Sequence, residues 1–117
     1  MIKGIGMDLV EIHRIEELLK RQPRLPERIL TPNERKQFSM LGEKRKIEYL
    51  AGRFAAKEAF AKASGTGIGS SLSFLDIEIA KAESGKPVFI SPVSRGVHLS
   101  ITHTAHYAAA QVVIEEV

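Results

Sequence analysis

Residues Ile2 to Leu9 alternate Lys3/Ile5/Met7/Leu9 with Ile2/Gly4/Gly6/Asp8, a period of two that predicts a strand. Gly4 and Gly6 share a face with Asp8, and side-chain-free positions inside a strand leave room for a ligand or a closely packed helix. From Glu11 to about Arg21 the period changes: Ile12, Ile15, Leu18 and Leu19 recur at helical spacing, with Arg14 and Glu17 on the outer side. Pro23 and Pro26 end this helix and punctuate a loop. Thr31-Pro32-Asn33-Glu34 reads as a capping box opening a short helix to about Leu41. The longest helical pattern runs from Glu43 to Ser64, where Ile47, Leu50, Ala51, Phe54, Ala55 and Ala61 suit a buried stripe and Gly65 a left-handed terminator. Strands follow: Leu75/Ile77/Ile79 alternate with Asp76/Glu78, a turn spans Glu83-Ser84-Gly85-Lys86, and Val88 to Ile90 return. Val97/Leu99/Ile101 then alternate with His98/Ser100/Thr102, and Tyr107 to Ile114 form a last apolar strand. One strand, a helical middle and a run of strands predict an α+β fold, helices packed against a small antiparallel sheet.

The chain has 117 residues, 44% of them hydrophobic and 26% charged, which predicts a single folded domain, residues 1–117, and excludes a disordered chain. Gly96 to Ile114 carries no formal charge, but three histidines, two threonines, Ser100 and Gln111 argue against a membrane span. No secretory pattern opens the chain, and the absence of cysteine excludes disulfides, thiolate catalysis and cysteine-bound zinc. Both fit a cytoplasmic location. The net charge of +3 hides an asymmetry, because residues 11 to 62 hold 13 Lys/Arg against 8 Asp/Glu and the remainder 4 against 6. Arg14, Lys20, Arg21, Arg24 and Arg28, and then Lys44-Arg45-Lys46, therefore point to an anionic partner: nucleic acid, a phosphorylated cofactor or an acidic protein.

Gly4-Ile5-Gly6 lacks the third glycine and the strand-to-helix turn of a dinucleotide fingerprint. Neither Gly65-Thr66-Gly67-Ile68-Gly69 nor Gly85-Lys86-Pro87 meets the phosphate-loop pattern, and His103-x-x-His106 has no further ligand at a zinc spacing. More telling is Arg53 to Lys62. There Phe54, Glu58 and Lys62 stack on one helix face and Arg53 and Lys57 on the next. The plain reading is a Glu58–Lys62 surface ion pair. The chemical one joins Glu58 to Asp8, two carboxylates from different elements able to hold a hard divalent cation.

Three motifs, Gly4-Ile5-Gly6-Met7-Asp8-Leu9 followed by Glu11 and Arg14, Phe54-x-x-Lys57-Glu58-Ala59-x-x-Lys62, and His98-x-Ser100-Ile101-Thr102-His103-Thr104, occur in an order and at separations that resemble the holo-[acyl-carrier-protein] synthase family of 4′-phosphopantetheinyl transferases. Leu25 departs from the pattern, standing where many relatives place an aromatic residue in the carrier-docking region. The resemblance implies Mg²⁺-dependent transfer of 4′-phosphopantetheine from coenzyme A to a serine of apo acyl carrier protein, releasing adenosine 3′,5′-bisphosphate, in fatty acid biosynthesis. It implies Asp8 and Glu58 as metal ligands, Lys62 facing the pyrophosphate, and either carboxylate or a metal-held water as the base. For the adenine and 3′-phosphate it points to Lys44, Arg45, Arg53, Gly65, His103 and Thr104. Arg14, Arg21, Arg24 and Arg28 would dock the carrier, the last three on one face if their loop turns helically. Larger members of the class carry two similar halves with the site between them. A chain with no repeat implies a homotrimer, its sites between subunits and Gln111 at the symmetry axis. A small basic nucleic-acid-binding domain is the alternative, but aromatics are not interleaved among its basic residues. No membrane partner is expected.

Overall fold

The Ala-rich segment forms the helix on which everything else is assembled, α4 (Glu43–Ala63), in a computed structural model that describes all 117 residues. Around it run β1 (Ile2–Glu11), α1 (Ile12–Arg21), α2 (Leu25–Ile29), α3 (Pro32–Ser39), β2 (Glu78–Lys81), β3 (Pro87–Ser91), β4 (Val97–His103) and β5 (Tyr107–Glu115). The antiparallel order β1-β5-β4 makes one sheet and the β2-β3 hairpin a second, so the predicted α+β class holds. No helix is long and apolar enough to cross a membrane.

The glycine row of β1 is explained by α4. A Cβ on Gly4 would lie 2.0 Å from the Ala63 carbonyl oxygen and one on Gly6 2.0 Å from that of Ala59. The strand thus rests on the helix backbone, and of the two readings of these glycines the packed helix is correct. Small residues on α4 make this approach possible: Ala55, Ala56 and Ala59 are fully buried against Ala110 and Val112 of β5, with Phe60, Ile79 and Phe89 filling the remainder. A second cluster, Ile15, Leu25, Ile29, Leu30, Leu50 and Ala51, joins α1 and α2 to the first half of α4.

A buried polar network ties the layers together. Thr31 caps α3 as its sequence predicts, the Glu34 carboxylate receiving the Thr31 amide at 2.8 Å. That same carboxylate is 1% exposed and also accepts the Ile79 amide at 2.8 Å and the Lys57 ammonium at 2.7 Å. Lys57, fully buried, spends its other donors on the carbonyls of Ile29 at 2.6 Å and Phe74 at 3.1 Å. Burial lowers the Lys57 pKa and Glu34 opposes that shift. Every donor of the ammonium is used, the condition under which a buried charge is tolerable.

Two expectations are corrected. The Pro-punctuated stretch contains a helix, α2, because Pro26 falls in the first turn, where a missing amide is harmless. Residues 74–76 form a 3₁₀ turn rather than the start of a strand: the Asp76 carboxylate accepts the Ser73 amide at 2.8 Å, and β2 begins only at Glu78. A smaller difference is that α3 stops at Ser39.

Replacing Lys57 with Met should lower unfolding stability by about 3–5 kcal/mol, because the Glu34 carboxylate is left buried without its cation. Urea denaturation measures this, and Lys57→Met combined with Glu34→Gln should recover part of the loss. A change under about 1 kcal/mol would assign the network no more than the weight of a surface ion pair.

Candidate active site

Asp8 is the next residue on the helix-facing side of β1 after Gly4 and Gly6, so the close glycine packing carries its carboxylate against α4. Lys62 meets it there, its ammonium 3.1 Å from Asp8 Oδ1 and 3.0 Å from the Met7 carbonyl. Of the two readings of this helix face, the plain Glu58–Lys62 surface pair does not form, and Lys62 pairs between helix and strand instead. Two acceptors on β1, a carboxylate and a carbonyl, draw the ammonium across the interface. Glu58, one turn earlier, points into a groove of about 450 Å³ that Asp8 also lines, together with Arg14 and Arg21 of α1 and the Phe54 ring.

The Glu58 carboxyl has its pKa raised, first by burial and second by the negative charge of Asp8, with Lys62 pulling the other way. Asp8 and Glu58 line one groove, Asp8 already paired with Lys62, and a divalent cation there would lower the cost of holding both as anions. No third His, Cys, Asp or Glu joins them to complete a cluster. Two oxygen-donor carboxylates with open positions suit Mg²⁺, which keeps waters and takes substrate phosphate oxygens. The residues therefore fit the implied metal.

The remaining predicted residues fall elsewhere. Arg45, Arg53 and His103 line a different cavity, of about 630 Å³, between α3, the first half of α4, β2 and the end of β4. Arg53 and Glu58 are five residues apart on α4, about 140° around the helix, so the two cavities flank opposite sides of it. Arg53 is 8% exposed, its guanidinium stacks 4.4 Å from the Tyr49 ring centre, and its Nε has no hydrogen-bond partner. His103 Nε2 lies 3.8 Å from Glu48. Lys44 lines neither cavity and faces a third recess between α1 and α4. The Thr104 hydroxyl is committed to the turn between β4 and β5, accepting the amides of His106 and Tyr107. Gly65 has φ +81, as a left-handed terminator requires, just past α4 and three residues beyond Lys62.

Of the four arginines, Arg14 and Arg21 reach the carboxylate groove, whereas Arg24 pairs with Glu27 at 3.0 Å and Arg28 with Gln22 at 3.1 Å. Leu25 is buried in the core between α1 and α4, so it offers no surface to a partner. Gln111 is exposed, opposite Met7 on β1 and Ser100 on β4. Residues that sequence reasoning missed are Lys57 and Glu34, which hold the scaffold, and Tyr49, which stacks on Arg53. The capping box marked Glu34 only as a cap, and the i, i+4 spacing of Tyr49 and Arg53 was the available signal for the stack.

Comparison with known proteins places this geometry in a family. Residues 4–113 match the profile of the 4′-phosphopantetheinyl transferase superfamily. A holo-[acyl-carrier-protein] synthase of Bacillus pumilus is 67% identical over 117 residues, 98% of this chain and 97% of the relative, and one of Anoxybacillus flavithermus is 62% identical over 116 residues, 98% and 97% of the two chains. The crystal structure of a holo-(acyl-carrier-protein) synthase from Bacillus anthracis in complex with CoA (3′,5′-ADP) superposes with a TM-score of 0.93 at 51% identity, covering 100% of this chain and 99% of that one. That of the Helicobacter pylori synthase in complex with coenzyme A gives 0.82 at 40%, covering 95% and 99%.

The raised Glu58 pKa has a consequence for stability. A carboxyl easier to protonate when folded makes the native state lose stability as pH rises from the ordinary carboxylate range through the raised value. Glu58→Gln should therefore have the higher Tm at neutral pH, the advantage vanishing as pH falls to about 4. Asp8→Asn should move the Glu58 titration, followed by NMR of its side-chain carbon, part of the way down. No movement would leave burial as the sole cause.

Proposed function

Because the chain belongs to the 4′-phosphopantetheinyl transferase superfamily, we propose that residues 1–117 act as one transferase domain that moves 4′-phosphopantetheine from coenzyme A to a serine of apo acyl carrier protein. The observation that carries this reading is the meeting of Asp8 and Glu58 at one groove, with the Lys62 ammonium held against Asp8. The serine oxygen attacks the phosphorus that bears pantetheine, the bond to the bridging pyrophosphate oxygen breaks, and adenosine 3′,5′-bisphosphate leaves. Negative charge grows on the phosphoryl and leaving oxygens, so catalysis consists chiefly of positioning and charge neutralisation. Mg²⁺ held by Asp8 and Glu58 supplies neutralisation when bound. Lys62, drawn to Asp8 in the free protein, lies within reach of the phosphates. The serine proton passes to a carboxylate of the groove or to a metal-held water.

Arg14 and Arg21 beside the groove, with Arg24 and Arg28 beyond, give an acidic carrier a basic approach and steer its serine toward Asp8 and Glu58. The cavity holding Arg45, Arg53 and His103 takes the 3′-phosphate and adenine end, with Lys44 and Thr104 adjacent in sequence and Gly65 beyond the far end of α4. Lying on opposite sides of α4, these two places are served by one coenzyme only if neighbouring subunits contribute one each. The sheet favours such an assembly. Its outer face carries Ile5, Met7 and Leu9 at 66%, 63% and 65% exposure alongside Ala109, Gln111 and Val113, an apolar surface broad enough for a subunit contact. Three copies would bring their Gln111 amides together and satisfy them mutually. The nucleic-acid alternative finds no support, since the chain matches a family of phosphopantetheinyl transferases along nearly its whole length. The reading places the protein in fatty acid biosynthesis in the cytoplasm, without a membrane or nucleic-acid partner.

Incubation with Mg²⁺, coenzyme A and apo carrier should add the mass of one phosphopantetheine to the carrier. Asp8→Ala and Glu58→Ala should abolish transfer with circular dichroism unchanged, and Lys62→Ala should slow it by about 10²–10³-fold. Full activity of either carboxylate variant at low Mg²⁺ would overturn the metal assignment. Light scattering should give three times the 12.9 kDa chain mass. Gln111→Glu should weaken assembly and activity together, and a fully active monomer would overturn the shared site.

A further inference from the structure

We propose that Tyr49 is a positioning residue that holds the Arg53 guanidinium ready to receive a phosphate dianion, the 3′-phosphate of coenzyme A, in the cavity between α3 and the end of β4; this rests on the coenzyme reading above. Arg53 is a buried cation with no carboxylate of its own. Three carboxylates line the same cavity, and each is engaged elsewhere: Glu34 with Lys57, Glu78 with Thr31 and Asn33, and Glu48 beside His103. Arg53 Nε is the one buried side-chain polar atom of the protein without a partner. Arg53 lines the cavity without a carboxylate partner, so the terminal nitrogens of its guanidinium are open to a phosphate while the buried Nε–H stays unpaired.

What keeps the guanidinium in place is the Tyr49 face, 4.4 Å away. Its ring is itself fixed from two further directions. Phe38 packs tilted against it at 6.3 Å, and the phenol hydroxyl donates to the Glu34 backbone carbonyl at 3.3 Å. Burial raises the phenol pKa, so the hydroxyl remains a donor. Glu34 is in turn held by Lys57 and the Ile79 amide, so the orientation of Arg53 traces back through Tyr49 to the buried network. A preset arginine spends less conformational entropy on binding, so its anchor should act on affinity for the phosphate and not on the reacting centre.

Isothermal titration calorimetry with coenzyme A and with 3′-dephospho-coenzyme A separates this role from a packing role. The unmutated protein should prefer coenzyme A, and Arg53→Ala should lose the preference. Tyr49→Leu should shrink it by about tenfold, with the kinetic loss falling on KM for coenzyme A more than on kcat. Tyr49→Phe, which keeps the ring and loses the hydroxyl, should stay within about threefold of the unmutated preference. If Tyr49→Leu fails to fold, Tyr49→Met serves in its place. A preference unchanged in the ring-less variant, or equal weakening of both ligands, would overturn the proposal, as would an Arg53→Ala protein that keeps its preference. Transfer by the unmutated protein, assayed on the same preparation, tests the function reading separately: a protein that transfers but retains its preference without the Tyr49 ring overturns only the positioning role.

Discussion

The Lys57 ammonium lies wholly out of water, held by the Glu34 carboxylate and the carbonyls of Ile29 and Phe74. These acceptors come from α2, α3 and the 3₁₀ turn ahead of β2, so a single donor on α4 ties three separate segments to the helix, beside the apolar contacts of Leu25, Ile29 and Phe74. Burial of so strongly hydrated a group is unfavourable unless all its partners are in place, so the network is all-or-none. Its worth is specificity: it sets where α3 and β2 stand against α4, and thereby the shape of the cavity that Arg53 lines.

The opposite side of α4 is organised by the absence of side chains. Gly4 and Gly6 let β1 sit on the helix backbone at Ala59 and Ala63, nearer than any residue with a Cβ could approach. Asp8 follows two residues later on the same face and is thereby delivered to Glu58 and Lys62. One helix thus positions a carboxylate groove on one side and an arginine cavity on the other, each fixed by a different kind of contact. Close backbone packing serves the first and a saturated ion pair the second.

The carboxylate groove carries a strain the rest of the core avoids. Glu58 is partly buried and near Asp8, and both burial and that like charge raise its pKa, against the pull of Lys62. Lys57 and Glu34 satisfy each other, whereas Asp8 and Glu58 oppose each other. A carboxyl disfavoured as an anion by burial and a like neighbour, in a groove also lined by Arg14 and Arg21, is the kind of perturbed group that functional sites collect. The same contrast separates Arg53, buried and unpaired, from Arg24, exposed and already paired with Glu27.

Periodicity alone located β1, α1, α4, β4 and β5; in α1, α4 and β4 the apolar pattern agrees with the buried face, whereas in β1 the apolar Ile5, Met7 and Leu9 face outward and the glycines face the helix. The capping box at Thr31 and the terminator at Gly65 were equally local and equally legible. Residues 74–79 were not, since alternation of Leu75, Ile77 and Ile79 is the same whether the chain is extended or turned, and the choice was made by the Asp76 contact to the Ser73 amide. The motif residues Asp8, Glu58 and Lys62, and the joining of the two carboxylates, could be named from the sequence, but the ion pair of Lys62 with Asp8 could not. At i, i+4 the helix offers Glu58 as the partner of Lys62, and only the tertiary approach of β1 supplies the better acceptors, Asp8 and the Met7 carbonyl. The division of the basic residues likewise depends on which side of α4 each occupies and on whether a carboxylate from a distant segment reaches it. Local sequence determined the elements and the chemical types. Long-range packing decided which charges are neighbours, because Coulomb and hydrogen-bond energies depend on separations that no sequence spacing encodes.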